Sequence, residues 1–233
     1  MTINDYYDRS IDAINEPNRP IPRGAISPKQ ALIYASLLTA IGFLAAFFTS
    51  ILMWTPLIIV IAILSWIISV AYATKGKRKG LLGNFLVSAC VAVPFVYGSF
   101  VVGKGFDAAI MLFAGMVFLS NTGREVAKGI VDVEGDKSQN IMTVAVRFGA
   151  KAAAVTASVF FILAVALSPL PLLLSLVSLW FLLFVAVTDI GLVASSVLLI
   201  KDFSRQNARK IKNLVLIWFL FGLLAFIAGT LGQ

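Results

Sequence analysis

Histidine is absent from the chain and cysteine occurs once, at position 90. The first absence removes the side chain that most often serves as acid, base or metal ligand near neutral pH. The second removes any disulfide framework or cysteine-based metal centre. Charge is scarce as well, with 13% Asp, Glu, Lys and Arg against about 25% in soluble domains. The opening MTINDYYD is polar and acidic, unlike the basic-then-apolar pattern of a secretory signal. What fills the chain instead is apolar: 60% hydrophobic residues and a mean hydropathy of +0.96. A soluble body of that composition would expose large apolar patches, so the chain is expected to reside in a membrane. The net charge of +8 sits in short clusters between apolar runs. That arrangement suits a membrane surface and anionic substrates rather than nucleic acid. Cys90, inside an apolar run, reads as a packing residue.

A bilayer core needs about 20 apolar residues per helix. Seven segments meet or approach that length: Gln30–Thr49, Leu52–Ala73, Phe85–Val102, Gly105–Thr122, Ala152–Ser168, Leu172–Ile200 and Leu214–Leu231. The fourth is the shortest in purely apolar residues, and the sixth is long enough to tilt or bend. Pro94 predicts a kink in the third, and Ser168-Pro169-Leu170-Pro171 predicts a tight turn before the sixth. Basic residues then alternate with the spans. Of the 19, only Lys104 falls on the far side, which makes the other side cytoplasmic. Removing the fourth segment would destroy that alternation. The expected fold is therefore an all-α, polytopic transmembrane bundle of seven helices, forming a single domain over 1–233.

Two acidic clusters stand on the basic side. In the first, Asn4-Asp5-x-x-Asp8-x-x-x-Asp12, helical spacing stacks three carboxylates on one face. Like charges so placed repel, and the penalty grows where water is scarce. A divalent cation resolves the conflict, and magnesium favours a few carboxylates with phosphate oxygens and water. A solvated acidic turn is the alternative. The second cluster is Asp132-Val133-Glu134-Gly135-Asp136. With Arg124 and Lys128 it forms steps of four, a stripe of two cations and two carboxylates if one helix continues through it. A row of surface ion pairs is the alternative there.

Several cations and polar groups lie near these clusters. Tyr72-x-x-Lys75 ends the second segment, before a basic loop and Gly83-Asn84. Lys75 could hold diphosphate oxygens, while Lys77, Arg78 and Lys79 read as membrane-surface anchors. Asn84 either orients polar groups at the head of its helix or caps it. Arg19-Pro20-Ile21-Pro22-Arg23-Gly24 is a stiff cationic loop that could close over a diphosphate or simply connect to a helix capped by Ser27-Pro28. Asp189, inside an apolar segment, is a functional candidate by position. A hydrogen-bonded packing role fits it equally.

NDYYDRSIDAINEPNRPIPRGAIS resembles the NDxxDxxxD signature of the UbiA family of intramembrane prenyltransferases. DVEGD is similar to that family's DxxxD signature, and YATK to its YxxK element. The three occur in family order, and the resemblance covers nearly the whole chain. Within the family, REVAKGIVDVEGDKSQNIMTVAVRFG is most similar to the archaeal ether-lipid branch. Those members transfer a geranylgeranyl group to the hydroxyl of geranylgeranylglyceryl phosphate, forming the second ether bond of archaeal lipids. AINEPNRPIP is also similar to the chlorin-modifying branch, and the branch acting on aromatic quinone precursors is more distant at the second motif.

The resemblance implies a bundle of nine helices, of which the seven segments would be the third to ninth. The chain as written is thus expected to lack the first helix and nearly all of the second, and to be inactive or poorly folded by itself. The resemblance further implies that Asn4, Asp5, Asp8, Asp12, Asp132 and Asp136 hold Mg2+ against a prenyl diphosphate. Lys75, Arg124 and Lys128, beside Tyr72 and Asn84, would contact that diphosphate, and Arg19, Arg23 or the lysine-rich loop after the second segment the phosphate of a lipid-soluble acceptor. With no histidine there is no evident strong base, and an allylic cation needs only a weak nucleophile. A transporter of an anionic solute is the rival class. It should show repeated half-sequences, and none is present beyond the shorter DxxxD.

Overall fold

The structure, a computed structural model, describes residues 2–74 and 76–231. Among the described residues every regular element is helical, and the chain divides into two compact units. The first comprises Met1–Gly105 and Asp132–Met142, the second Phe106–Val131 and Thr143–Gln233.

The first unit begins with α1 (Thr2–Asn15), α2 (Pro28–Leu52) and α3 (Leu57–Thr74), followed by a 3-10 turn at Gly76–Lys79 and α4 (Leu81–Val101). The second unit's α5 (Ala108–Val131) intervenes before the first unit is completed by the short α6 (Val133–Ser138). α1 is amphipathic in an unusual sense. Its buried face is Asp8, Ile11 and Asp12, while Arg9, Ser10, Ala13 and Ile14 face outward. Two carboxylates thus occupy interior positions that an ordinary surface helix fills with apolar residues. α2 starts where Ser27 and Pro28 place it. The Ser27 hydroxyl accepts from the Gln30 amide at 3.3 Å, and the Gln30 side chain accepts from the Ser27 amide at 2.9 Å. This reciprocal cap satisfies two donors that would otherwise be orphaned. α2 buries Ala31, Ala35 and Ala46 against its neighbours and turns Leu37, Ile41, Leu44 and Phe48 outward, as a lipid-facing helix does. α3 packs on α2 and α4, and α1 lies against both α2 and α3. Pro94 falls inside α4, which runs on past it to Val101.

The second unit contains α5, α7 (Val144–Leu167), the single turn α8 (Leu170–Leu173), α9 (Trp180–Lys201) and α10 (Arg205–Gly229). Lipid tails are as apolar as leucine, so helices in a bilayer associate chiefly through close packing of small residues. α5 meets α7 in that way: Ala127, Ala153, Ala154 and Ala157 are almost completely buried. At Gly123 an added methyl carbon would stand 2.7 Å from the Phe161 ring and 2.8 Å from the Ala157 carbonyl. α9 meets α10 likewise, with Gly191 directly against the Trp218 indole, whose Nε1 donates to Ser195 Oγ at 3.1 Å.

Among the described residues six helices are long and apolar enough to cross a membrane: α2, α3, α4, α7 extended through α8, α9 and α10. The expected seventh span corresponds to α5, which is 24 residues long, about 36 Å at 1.5 Å per residue. It has the length but not the composition. Its second half carries Ser120, Asn121 and Thr122, all buried, followed by charged residues, so length and composition do not confirm a seventh span. The segment expected at Leu172–Ile200 is also interrupted. The α8 turn ends at Leu173, Ser175 takes a left-handed conformation (φ 55°), and the spanning helix begins only at Trp180. Ser178 donates its amide to the Gly229 carbonyl at 2.8 Å, so a contact to α10 replaces helical continuation.

Gly123→Leu is expected to lower stability by about 1–3 kcal/mol, because the colliding atoms include a backbone carbonyl that cannot rotate away. Gly115→Leu on the same helix, where an added methyl carbon meets nothing within 4 Å, should leave it nearly unchanged. Thermal unfolding of the two variants in detergent checks the contrast.

Candidate active site

Asp5, Asp8 and Asp12 descend one side of α1, and the structure shows how their repulsion is relieved. Asn4 Nδ2 donates to Asp8 Oδ2 at 2.7 Å. After α1 the chain folds back, and Arg19 places a single nitrogen, Nη1, 2.9 Å from Asp5 Oδ1 and 2.9 Å from Asp12 Oδ2. One guanidinium therefore bridges the first and last carboxylates of the motif. Burial disfavours its charge, but Asp12 and Asp5 outweigh that loss and hold the Arg19 pKa above its ordinary value. The loop that carries it is built to stay folded. The Arg23 amide donates to the Arg19 carbonyl at 3.1 Å, that of Gly24 to Ile21 at 3.0 Å, and that of Ala25 to Pro20 at 2.9 Å. Gly24 supplies the left-handed conformation (φ 76°) that closes the turn. A cavity of about 150 Å³ lies beneath, between Asp5, Arg19, Pro22, Ile26 and Tyr34. Arg23 itself is exposed.

The second motif joins the same unit. α6 packs on α1, and Asp136 within it is 3% exposed. Asp132 sits at the head of α6, with its carbonyl accepting from the Asp136 amide at 2.9 Å. The segment behind α6 closes on the head of α4 through Gly80 (φ 57°), where an added methyl carbon would fall 2.7 Å from the Met142 carbonyl. Glycine is required at that position for both conformation and space. Gly80 also precedes the first residue of α4, so Asn84 lies within the first turn, donating its amide to the Gly80 carbonyl at 3.4 Å, and is not the cap. Tyr72 is partly buried near the end of α3. Lys75 lies outside the described residues.

The expected stripe of two cations and two carboxylates does not form. α5 ends at Val131 and a new helix starts after Asp132, so the unbroken helix that the stripe requires is interrupted at Asp132. In the second unit, Arg124 and Lys128 turn instead to Glu125. Arg124 Nη1 lies 2.8 Å from Glu125 Oε1, and Lys128 Nζ 3.6 Å from Oε2. Arg124 Nε also donates to the Lys212 carbonyl at 3.2 Å. Glu125 was not among the sequence candidates, although its position three residues before Lys128 is a standard ion-pair spacing. Asp189 accepts a 2.5 Å hydrogen bond from Ser168 Oγ, the hydrogen-bonded packing arrangement. Cys90 is partly buried beside Ser65, Trp66, Pro94 and Tyr97 in a cleft of about 380 Å³ between α3 and α4.

UbiA, the prenyltransferase family, matches residues 1–230. The chain belongs to the UbiA prenyltransferase family. It is accordingly an enzyme, a prenyltransferase, and a multi-pass membrane protein. Digeranylgeranylglyceryl phosphate synthase of Methanosarcina mazei is 36% identical over 98% of this chain and 76% of its own length. That of Methanosarcina barkeri is 39% identical over 98% and 76%, and that of Natronomonas pharaonis 40% over 83% and 68%. A solved structure from work on digeranylgeranylglyceryl phosphate synthase in membranes superimposes with a TM-score of 0.76 and 30% identity. It covers 100% of this chain and 80% of the other. The apo structure of a UbiA homologue from Aeropyrum pernix K1 gives a TM-score of 0.80 over 97% and 82% of the two chains. At 20% identity it speaks for the fold alone.

UbiA prenyltransferases generally depend on a divalent metal. The donors on α1 and α6 suit one, being carboxylate and amide oxygens, the ligand type that hard cations select. The amide oxygen of Asn4 is buried and has no hydrogen-bond partner, as a ligand atom would be before its ion binds. Among the described residues, however, no three acidic side chains converge within ligating distance. Arg19 supplies the positive charge between Asp5 and Asp12.

The two carboxylates on Arg19 should differ in weight. Asp12 is 7% exposed and Asp5 27%, so Asp12→Asn is expected to destabilise by about 1–3 kcal/mol. Asp5→Asn should lie near the value of a solvated pair, below about 1 kcal/mol. Chemical unfolding of both variants in metal-free buffer measures the difference.

Proposed function

We propose that the protein transfers a geranylgeranyl group from geranylgeranyl diphosphate to the hydroxyl of geranylgeranylglyceryl phosphate, with magnesium, at the cytoplasmic face of an archaeal membrane. The observation that carries this reading is the inward-facing acidic surface of α1, packed on the helix that bears the second acidic motif. The relatives' shared name supports the acceptor, and the clustering of basic residues on one side of the spans supports the cytoplasmic placement.

Asn4, Asp5, Asp8, Asp12, Asp132 and Asp136 would hold the ion. When bound, magnesium supplies neutralisation of the diphosphate and of the charge that develops on it as the allylic carbon–oxygen bond breaks. The chain's own part is to orient the donor and to keep water away. Buried carboxylates require an ordered cationic partner, so they fix where a diphosphate can dock. The apolar helices around them exclude the water that would otherwise trap the allylic carbon as an alcohol. The acceptor hydroxyl then attacks that carbon. Tyr72 on α3 and Asn84 on α4 are assigned to the diphosphate together with Lys75, while exposed Arg23 suits the acceptor's phosphate. Arg124 and Lys128, which pair with Glu125 in this structure, are assigned to the diphosphate as well.

Offered geranylgeranyl diphosphate with the glyceryl ether, a chlorin and an aromatic acid, the purified protein should alkylate only the first. Product on either of the others instead moves the protein to another branch of the family. Asp132→Asn and Asp136→Asn should each reduce transfer at least a hundredfold with folding intact. Undiminished magnesium-dependent turnover in Asp132→Asn would remove the second motif from the site.

A further inference from the structure

We infer that Arg19 is a built-in countercation of the first acidic motif, which a divalent metal must displace, so that metal binding and release of the Arg19 loop are one event. The inference rests on the reading of the motif as a metal site. Three observations converge on it. First, Arg19 Nη1 stands 2.9 Å from an oxygen of each of Asp5 and Asp12, the place between two carboxylates where a cation gains most. Second, the middle carboxylate, Asp8, receives Asn4 Nδ2, while the other atom of that amide, Oδ1, is buried without a partner. The motif thus sets the Arg19 guanidinium against its two outer carboxylates and leaves one amide oxygen unsatisfied. Third, Arg19 belongs to a loop closed by its own backbone hydrogen bonds from Arg19 to Ala25. A loop fastened internally in this way leaves as a unit when its one charged anchor is released.

The physical competition is direct. A guanidinium and a divalent ion cannot both occupy the space between the two carboxylates, and each is repelled by the other at that distance. A metal arriving alone must therefore break two charge-assisted hydrogen bonds before it gains its ligands. Arg19 lowers the affinity for free metal, and it keeps α1 folded when no metal is present.

The test is Mn2+ binding, followed by electron paramagnetic resonance and thermal unfolding, for the purified protein and for Arg19→Gln and Arg19→Lys. Arg19→Gln should bind Mn2+ at least tenfold more tightly than the parent. Without metal it should unfold at lower temperature, and saturating Mn2+ should raise its midpoint by more than it raises the parent's. Arg19→Lys keeps the charge but loses the planar fork and should fall between the two. It also serves if Arg19→Gln does not fold. Asp8→Asn should abolish binding in every background, which locates the ion. Equal or weaker Mn2+ affinity in the Arg19 variants, with binding still dependent on Asp8, overturns the inference and leaves the metal reading standing. No Asp8-dependent Mn2+ binding in any variant overturns both.

Discussion

Three like charges on one helical face, two of them buried, are the constraint on which the first unit depends. A solvated helix would lose only a few tenths of a kcal/mol to such repulsion. A helix that turns Asp8 and Asp12 inward loses much more, because neither water nor salt screens them there. The geometry around α1 can be understood as an answer to that problem. The Asn4 amide lies against the middle carboxylate, the chain reverses at Glu16 to bring Arg19 against the outer two, and the loop beyond is held by proline and its own backbone bonds. α2 begins where the loop ends, on a reciprocal cap. An electrostatic requirement thus sets the path of the chain through its first two helices.

The second unit solves a different problem with different means. Its helices carry little net charge toward one another and rely on small residues to approach closely. Gly123 and Gly191 accept an aromatic ring against the bare backbone, and the alanines of α7 allow α5 to lie along it. α5 departs from this scheme only in its polar half. There Arg124, Glu125 and Lys128 form a local group on one helix, with the Lys212 carbonyl as a further acceptor.

Much of the site was legible in the sequence, and the reasons differ residue by residue. Asp5, Asp8 and Asp12 were readable because helical periodicity decides which residues share a face, and periodicity survives whatever the fold does. Arg19 was readable only as a nearby cation, because its partners depend on how sharply the chain turns between α1 and α2. The break at Asp132 was hidden, since Ile-Val-Asp-Val-Glu contains no proline and is compatible with an unbroken helix. The break before Trp180 was hidden for a similar reason. Pro-Leu-Leu-Leu-Ser-Leu-Val is apolar but for one serine, and the helix is interrupted by the left-handed turn of that Ser175 and by the hydrogen bond of Ser178 to a residue fifty-one positions away. Apolar length alone reports that a segment prefers lipid, and it does not report where a helix starts.

The first unit is discontinuous in sequence, with α6 supplied only after the whole of α5 has been made. α1 therefore precedes α6 in the chain by far more than it precedes α2 and α3, its other packing partners. Arg19 follows Asp12 by seven residues. An ion pair between near neighbours needs no distant element to form, so the outer carboxylates of α1 can be paired without α6.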